Sequence, residues 1–327
     1  MDKAIWRDFV TLHPNGNIFQ APEMFNVYKA TKNYKPIVLL VLNERNEMVA
    51  IMQVVVQKEF TGPAALPTSR AIITGGPLLE TECQETCNIL LKEYKKMIKD
   101  KAVYTQVRNC YSQEGLKECF EQNGYSYKEH LNIILDLRIG QEALWEKFSR
   151  SRKKGIRKAL NGSFSFEFSQ DLESIKKFFI LLKVTYRKIR LPFPEEEHFF
   201  NISRELQPEN YMIFIIRKDN QPVVSLFTLI FKKTMYAYYM GSVNDGSTMK
   251  EKPVDLLFWE VFKWAIARGI EYFDWMGAGS PGKDYGVRDF KLEYGGELQN
   301  FGRFEMIHMP LLYNFSKTGL KIWRKFK

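Results

Sequence analysis

The sequence is poor in the residues that build metal centres and disulfide frameworks. It has four cysteines and four histidines in 327 residues. Cys83 and Cys87 lie one helical turn apart, where side chains diverge too far for an easy disulfide, and there is no C-x-x-C pair. Reduced, structural thiols are expected. His13, His130, His198 and His308 are scattered, with no H-x-x-x-H or H-E-x-x-H spacing, so no metal site is expected. The absence of G-x-S-x-G argues against an α/β-hydrolase triad. No apolar run reaches the roughly 18 residues a membrane-spanning helix needs. The opening MDKAIWRDFV lacks the apolar run of a secretory signal, and a cytoplasmic location is expected.

What is present is ordinary for a globular protein: 45% hydrophobic and 26% charged residues. The length favours two domains over one core. Aromatics reach 14%, with 25 Phe and 16 Tyr, which fill cores and also line sites for flat ligands. The formal charge of +10 points to an anionic partner: nucleic acid, a phosphate-bearing donor or an anionic membrane surface. Two clusters carry much of it. Arg150, Arg152, Lys153, Lys154, Arg157 and Lys158 surround one short helix, for which a phosphate-rich partner and a solvated linker are both open readings. Lys317, Lys321, Arg324, Lys325 and Lys327 crowd the tail 311–327, together with Leu312, Phe315, Leu320, Ile322, Trp323 and Phe326. Such a basic amphipathic tail can lie on an anionic membrane or pack on the N-terminal domain.

The hydrophobic pattern repeats itself. In the first half, apolar runs 37–42 and 48–57 flank a polar turn and predict a hairpin. A strand at 71–74, a helix at 82–99, a strand at 103–107, a short helix at 114–123 and a strand at 130–137 follow. After helices at about 141–160 and 171–190, the second half offers a hairpin (212–217 and 223–231) and a strand at 235–240. A helix at 254–268, a strand at 272–276, a short helix near 284–294 and paired strands at 297–303 and 305–308 complete it. The grammar predicts a duplication: domains 1–140 and 141–310, each a mixed twisted sheet flanked by helices, and the tail 311–327.

Candidate sites lie in the second half. Gly277 to Gly282 matches G-x-G-x-x-G after a strand, but Pro281 and the short following helix argue for a plain loop at a strand end. The stretch 244–253, with Gly246, Ser247 and Thr248, precedes a helix whose amides can hold a phosphate; a surface loop is the equal alternative. Asp274 sits among aromatics in 272–276, where a carboxylate has a raised pKa and can act as a base, or is tied to loop amides.

Tyr272-Phe-Asp-Trp-Met-Gly-Ala-Gly279, followed by Tyr285-Gly-Val-Arg-Asp-Phe-Lys-Leu-Glu-Tyr-Gly-Gly296, resembles the C-terminal signature of the FemAB family. Asn17 to Phe25, Leu182 to Arg187 and Met235 to Ser242 resemble three further stretches of that family, in the same order along nearly the whole chain. The resemblance implies two tandem GNAT-type domains and an N-acyltransferase. In the family an amino acid passes from aminoacyl-tRNA to the amine of a peptidoglycan precursor at the cytoplasmic side of the membrane. Relatives with the same signature are acyl-CoA N-acetyltransferases acting on surface sugars, and a non-catalytic RNA- or membrane-binding relative is a third possibility. No tightly bound cofactor is implied; the donor is aminoacyl-tRNA or acyl-CoA. The segment 141–190 is too short for the coiled-coil arm of some members, and the acetyl-CoA loop pattern Q/R-x-x-G-x-G/A is missing from 244–253. By resemblance, Lys291 lies at the transfer centre; Asp274, read from its own aromatic surroundings, is the candidate base. Arg187, Tyr238 or Tyr239, Lys29 and Arg288 would hold the acceptor. Gly246, Ser247, Thr248, Lys154 and Arg157 are the candidate donor-binding residues.

Overall fold

The computed structural model describes residues 2–62 and 65–315. Most of the basic tail therefore lies outside the described residues; of it, Leu311 and Phe315 are exposed. The chain divides into two compact units, 1–130 with 300–327, and 131–299.

The first unit opens with α1 (Lys3–Leu12), N-capped by Asp2, and α2 (Pro22–Ala30), which carries Pro at its first position. There follow β1 (Tyr34–Leu42), β2 (Met48–Gln57), β3 (Arg70–Thr74), β4 (Leu78–Leu79), α3 (Gln84–Ile98), β5 (Tyr104–Arg108), α4 (Lys117–Gln122) and β6 (Ser126–Lys128). The second unit contains β7 (Leu131–Asp136), α5 (Gly140–Lys147), α6 (Arg150–Leu160), β8 (Phe164–Ser169), α7 (Leu172–Ile189) and α8 (Glu196–Glu205). It continues with β9 (Tyr211–Lys218), β10 (Gln221–Phe231), β11 (Thr234–Ser242), α9 (Gly246–Lys250), α10 (Pro253–Ala267), β12 (Tyr272–Gly277), α11 (Gly286–Leu292) and β13 (Glu297–Asn300). The last strand, β14 (Arg303–Ile307), returns to the first sheet.

Each unit is built on one mixed sheet flanked by helices. The first sheet runs β1-β2-β3-β5-β14-β6, with β4 beside β2. The second runs β13-β7-β12-β11-β10-β9-β8. In each, one neighbouring pair is parallel, β3 with β5 and β11 with β12, as a helical crossover requires. The first core gathers Val54, Val56, Leu91, Tyr94, Phe120 and Phe304. The second is an aromatic cluster of Phe148, Phe258, Phe262, Phe273, Trp275 and Tyr294. Rings there meet edge to face, Phe262 and Phe273 at 5.1 Å for example, a geometry that gains about 0.5–1.5 kcal/mol per pair beyond area burial.

The units do not break at 140/141. Strand β7, read from the sequence as the close of the first half, pairs antiparallel with β12, and β14 pairs antiparallel with β5 and β6. The expected pairing of 297–303 with 305–308 is therefore not formed: β13 lies beside β7, in the other sheet from β14. Gly302, at φ +67°, sits in the short turn from one to the other. The helical span 141–160 is two helices, because Phe148 at the end of α5 is extended and Ser149 caps α6 by accepting from the Arg152 amide. Strand β8 and helices α8 and α9 had no counterpart in the pattern reading.

Candidate active site

Strands β11 and β12 run parallel for three register pairs, ending at Tyr236 and Asp274, and then part. Two irregularities occur at the parting. In β11 the register with β10 skips Tyr238: Phe227 faces Tyr239 and Thr228 faces Ala237. A bulge rotates the chain by one residue, so two consecutive side chains reach the same side. Tyr238 and Tyr239 accordingly touch edge to face at 4.7 Å, and both meet side chains of α7 and α8. Tyr238 Oη lies 2.9 Å from His198 Nε2, and the Tyr239 ring packs on Tyr186 and Phe199. In β12 the register with β7 shifts between Asp274 and Gly277, and Met276 adopts φ +57°, a left-handed conformation that a residue with a side chain rarely takes.

Lys291, on α11, reaches this broken stretch. Its Nζ donates to Trp275 O at 2.8 Å and Gly277 O at 2.9 Å, two carbonyls on one edge of the shifted segment. An ammonium has three donors, so one remains after these bonds. Burial pushes its pKa down to about 8, against the pull of Asp274. Asp274 is buried, accepts from the Met276 amide at 2.7 Å, and has its pKa pushed up to about 6 by desolvation, with Lys291 and Asn132 opposing. The pKa of Asp274 is thus raised as the sequence suggested, and the amide that it accepts from belongs to its own strand, two residues along, and not to a loop. A carboxyl and an amine whose pKa values converge on neutrality are the kind of pair that moves protons at a reacting centre.

Helix α7 lies directly on β11. Gly241 is obligatory there, since a Cβ would collide with the backbone at Leu181 and Leu182. Thr185 accepts from the Ser242 amide at 2.8 Å and fixes the strand end to the helix. Tyr186 and Arg187 follow in the last turn, before Arg190 ends α7 in the left-handed region. Burial raises the Tyr186 pKa, with Tyr239 and Tyr285 nearby, so the loop after β12 stands close to this helix end. Arg187 is exposed, and its side chain has no hydrogen bond or ion pair among the described residues.

The remaining expected residues sit differently. Arg288 donates to Ser280 O at 2.9 Å and Lys283 O at 2.5 Å and so staples the glycine-rich loop. Lys29 is exposed in the first unit. Gly246 and Ser247 are exposed at the start of α9, and Thr248 is buried. The amides of Ser247 and Thr248 are taken by the Asp245 carboxylate, at 3.1 and 3.0 Å, which also accepts from both hydroxyls. These bonds hold the Asp245 pKa well below the usual range. Lys154 and Arg157 lie on the solvent side of α6, Arg157 over the Trp145 ring at 5.6 Å.

Arg152 points the other way. It pairs with the buried Asp255 of α10 at 2.5 Å and with Glu293 at 2.8 Å, while Tyr294 donates to the same Asp255 oxygen at 3.0 Å. Gly155 makes room, because a Cβ there would meet Asp255 Oδ2. The basic helix is thus amphipathic, with one of its cations serving the interior. His198 was passed over as a lone histidine. It is fully buried, and its pKa falls to about 3, so it faces Tyr238 as a neutral ring. Its spacing in the sequence held no clue to that contact. Among the described residues no group of His, Cys, Asp or Glu is placed to hold a metal, and no helix is long and apolar enough to cross a membrane.

Comparison with known proteins agrees with this architecture. Residues 146–291 match the Acetyltransferase (GNAT) domain family. No curated protein matches the sequence. The fold superposes on the crystal structure of FemX with a TM-score of 0.74 and 17% identity, over 96% of this chain and 98% of that one. It also superposes on the C-terminal domain of a putative lysylphosphatidylglycerol synthetase from Agrobacterium fabrum (TM-score 0.58, 12% identity, 97% and 96% covered). A tandem GNAT protein from the clavulanic acid biosynthesis pathway gives a TM-score of 0.58 at 7% identity, with 94% of both chains covered. With residues 146–291 matching a GNAT acetyltransferase domain across the β11–β12 opening, the chain carries a GNAT-type acyltransferase domain within a fold that it shares over its whole length with FemX.

Proposed function

We propose that this acyltransferase moves an aminoacyl group from aminoacyl-tRNA to a free amine of a cell-envelope precursor, with the peptidoglycan stem peptide as the favoured acceptor. The observation that carries the reading is that Lys291 Nζ bonds the Trp275 and Gly277 carbonyls, just beyond the buried Asp274, where β11 and β12 part. The acyl carbon would enter the opening between the strands. The neutral amine attacks it, a C–N bond forms, and the C–O bond to the ribose of the donor breaks. The third N–H of Lys291 stabilises the oxyanion, Asp274 or a water chain takes the proton from the nitrogen, and that proton is passed on to the departing ribose oxygen, which leaves as a hydroxyl. Arg187 grips an anionic group of the acceptor, and Tyr238 and Tyr239 flank it, with His198 orienting the Tyr238 hydroxyl. Arg288 would add an acceptor contact chiefly through the loop that it staples.

One observation bears on the donor. At the start of α9, where Gly246, Ser247 and Thr248 would otherwise offer amides to a donor phosphate, Asp245 already fills the Ser247 and Thr248 amides with a carboxylate. Lys154 and Arg157 remain as exposed cations for a tRNA backbone. The alternative, an acyl-CoA donor and an amino-sugar acceptor, draws on the acetyltransferase family match. A lipid-linked cell-wall precursor as acceptor would put the reaction at the inner face of the membrane. Calorimetric titration with acetyl-CoA and, in parallel, with charged tRNA separates the two donors. Salt-sensitive binding of charged tRNA with silence toward acetyl-CoA supports the proposal; micromolar acetyl-CoA binding moves the chain to the alternative.

A further inference from the structure

Helix α5 carries Gln141 and Trp145 one turn apart, and Glu142 and Glu146 beside them at the same spacing, so the four share one face. Leu144 points the other way, into the core. Next to Trp145 stands Trp259 of α10, with the ring centroids 5.0 Å apart and the planes at 56°. Phe148 meets Trp259 edge to face at 5.6 Å and backs that ring. These four residues of α5, with Ala143 and Trp259, line a cavity of about 610 Å³ that opens to solvent, a volume in the range of small-molecule sites. Among the described residues Trp145 is the one tryptophan that is not buried.

The charges around the cavity cancel. Two carboxylates one turn apart weaken a helix, and Lys153 relieves one of them by holding Glu146 at 2.8 Å. Lys263 pairs with Glu260 at 2.7 Å and lies 5.8 Å from the centre of the Trp259 ring. Arg157, 5.6 Å from the centre of the Trp145 ring, is left to balance Glu142. The side chains of Gln141 and Glu142 are exposed and make no hydrogen bond or ion pair among the described residues. A phosphate would meet the carboxylates, and an organic ammonium would meet cations already placed on both indoles. What the cavity offers is an aromatic wall edged by acceptors on Glu142 and Gln141 and a donor on Gln141. A pyranose ring matches that combination, because one of its faces is C–H and stacks on an indole while its hydroxyls both donate and accept.

We propose that the Trp145–Trp259 cavity is a saccharide site for a neutral hexopyranose unit, with Trp145 as the stacking platform and Glu142 and Gln141 as the hydrogen-bonding edge. No residue of the transfer centre lines it, so it is a second site of the second unit. It does not depend on the acyl transfer proposed above, and either assignment can fail alone.

The test is saturation-transfer difference NMR on the full-length protein, with cellobiose and N,N′-diacetylchitobiose as neutral saccharides and with choline and methyl phosphate as charged ligands. Saturable transfer to a saccharide is expected, strongest at the C–H protons of one ring face, with choline and methyl phosphate silent. Affinity should fall about tenfold in Trp145→Ala, the scale of one aromatic contact, and several-fold in Glu142→Ala. Tighter binding of diacetylchitobiose than of cellobiose, lost in Gln141→Ala, would assign its acetamido group to Gln141. Trp145 also packs on Phe148 at 5.9 Å. If Trp145→Ala fails to fold, Glu142→Ala and Gln141→Ala, which change exposed side chains without partners, carry the test. The absence of a saturable saccharide signal, or an affinity unchanged in the variants that fold, overturns the proposal. Binding of choline in place of the saccharides, lost in Glu142→Ala, would make the cavity an ammonium site and also overturn it.

Discussion

Replacing Lys291 by Met separates a strut from a participant in transfer. The substitution removes two charge-assisted hydrogen bonds, to Trp275 O and Gly277 O, and leaves two carbonyls at the edge of the broken strand without this donor. That costs about 1–2 kcal/mol each, or about 2–4 kcal/mol together. It also removes a half-buried ammonium whose pKa is pushed from 10.5 to about 8. Holding that charge at pH 7 costs the folded state on the order of 3 kcal/mol, at about 1.4 kcal/mol per pKa unit. The two terms nearly cancel, so Lys291→Met should fold with a stability within about 2 kcal/mol of the wild type. Turnover behaves differently, because nothing replaces the third N–H at the oxyanion, and removal of one such donor costs about 10²–10³ in kcat. Transfer of a radiolabelled aminoacyl group, measured beside a denaturant melt, gives both quantities. A variant that keeps its turnover would make Lys291 a strut for β12 and refute the reasoning. One that fails to fold would refute the cancellation.

Arg187→Ala, which removes an exposed cation with no internal partner, should leave stability unchanged and raise KM more than it lowers kcat in steady-state kinetics. Arg152→Met strands the buried Asp255 carboxylate with Tyr294 as its remaining partner and should cost about 3–5 kcal/mol in a urea melt; replacing Asp255 by Leu as well should recover much of that loss. His198→Phe keeps the ring packing but removes the partner of Tyr238 Oη, so activity should fall several-fold with a change in melting temperature of only a few degrees.

Much of the element order was legible, because hairpins, crossover helices and the strand bearing Asp274 each carry a local pattern. The exchange of β7 and β14 was not. Alternation along Leu131–Asp136 or Arg303–Ile307 states which face is apolar, and says nothing of which sheet supplies the neighbour. Lys291 and Asp274 were found through a motif, and the structure brings them together electrostatically. The choice between Tyr238 and Tyr239 had no answer in the sequence, since it rests on a bulge that turns both residues toward α7 and α8. Arg152 was grouped with its basic neighbours; only the packing of α6 on α10, allowed by Gly155, shows that it pairs with Asp255.

The central claim is that Asp274 and Lys291 act as a charged pair where β11 and β12 part. Asp274 is raised to about 6, so its contribution to stability is present below its unfolded pKa near 3.8 and is lost as pH rises through about 6. Lys291 is lowered to about 8, so its contribution is present above 10.5 and is lost as pH falls through about 8. Between about 6 and 8 both groups carry charge, at a cost to folding, and that window is where transfer should be fastest. The decisive measurement is the pH dependence of kcat/KM for the wild type and for Asp274→Asn. The account predicts a bell with limbs near 6 and 8, and loss of the acidic limb in the variant. A flat profile, or an acidic limb that survives in Asp274→Asn, would contradict it.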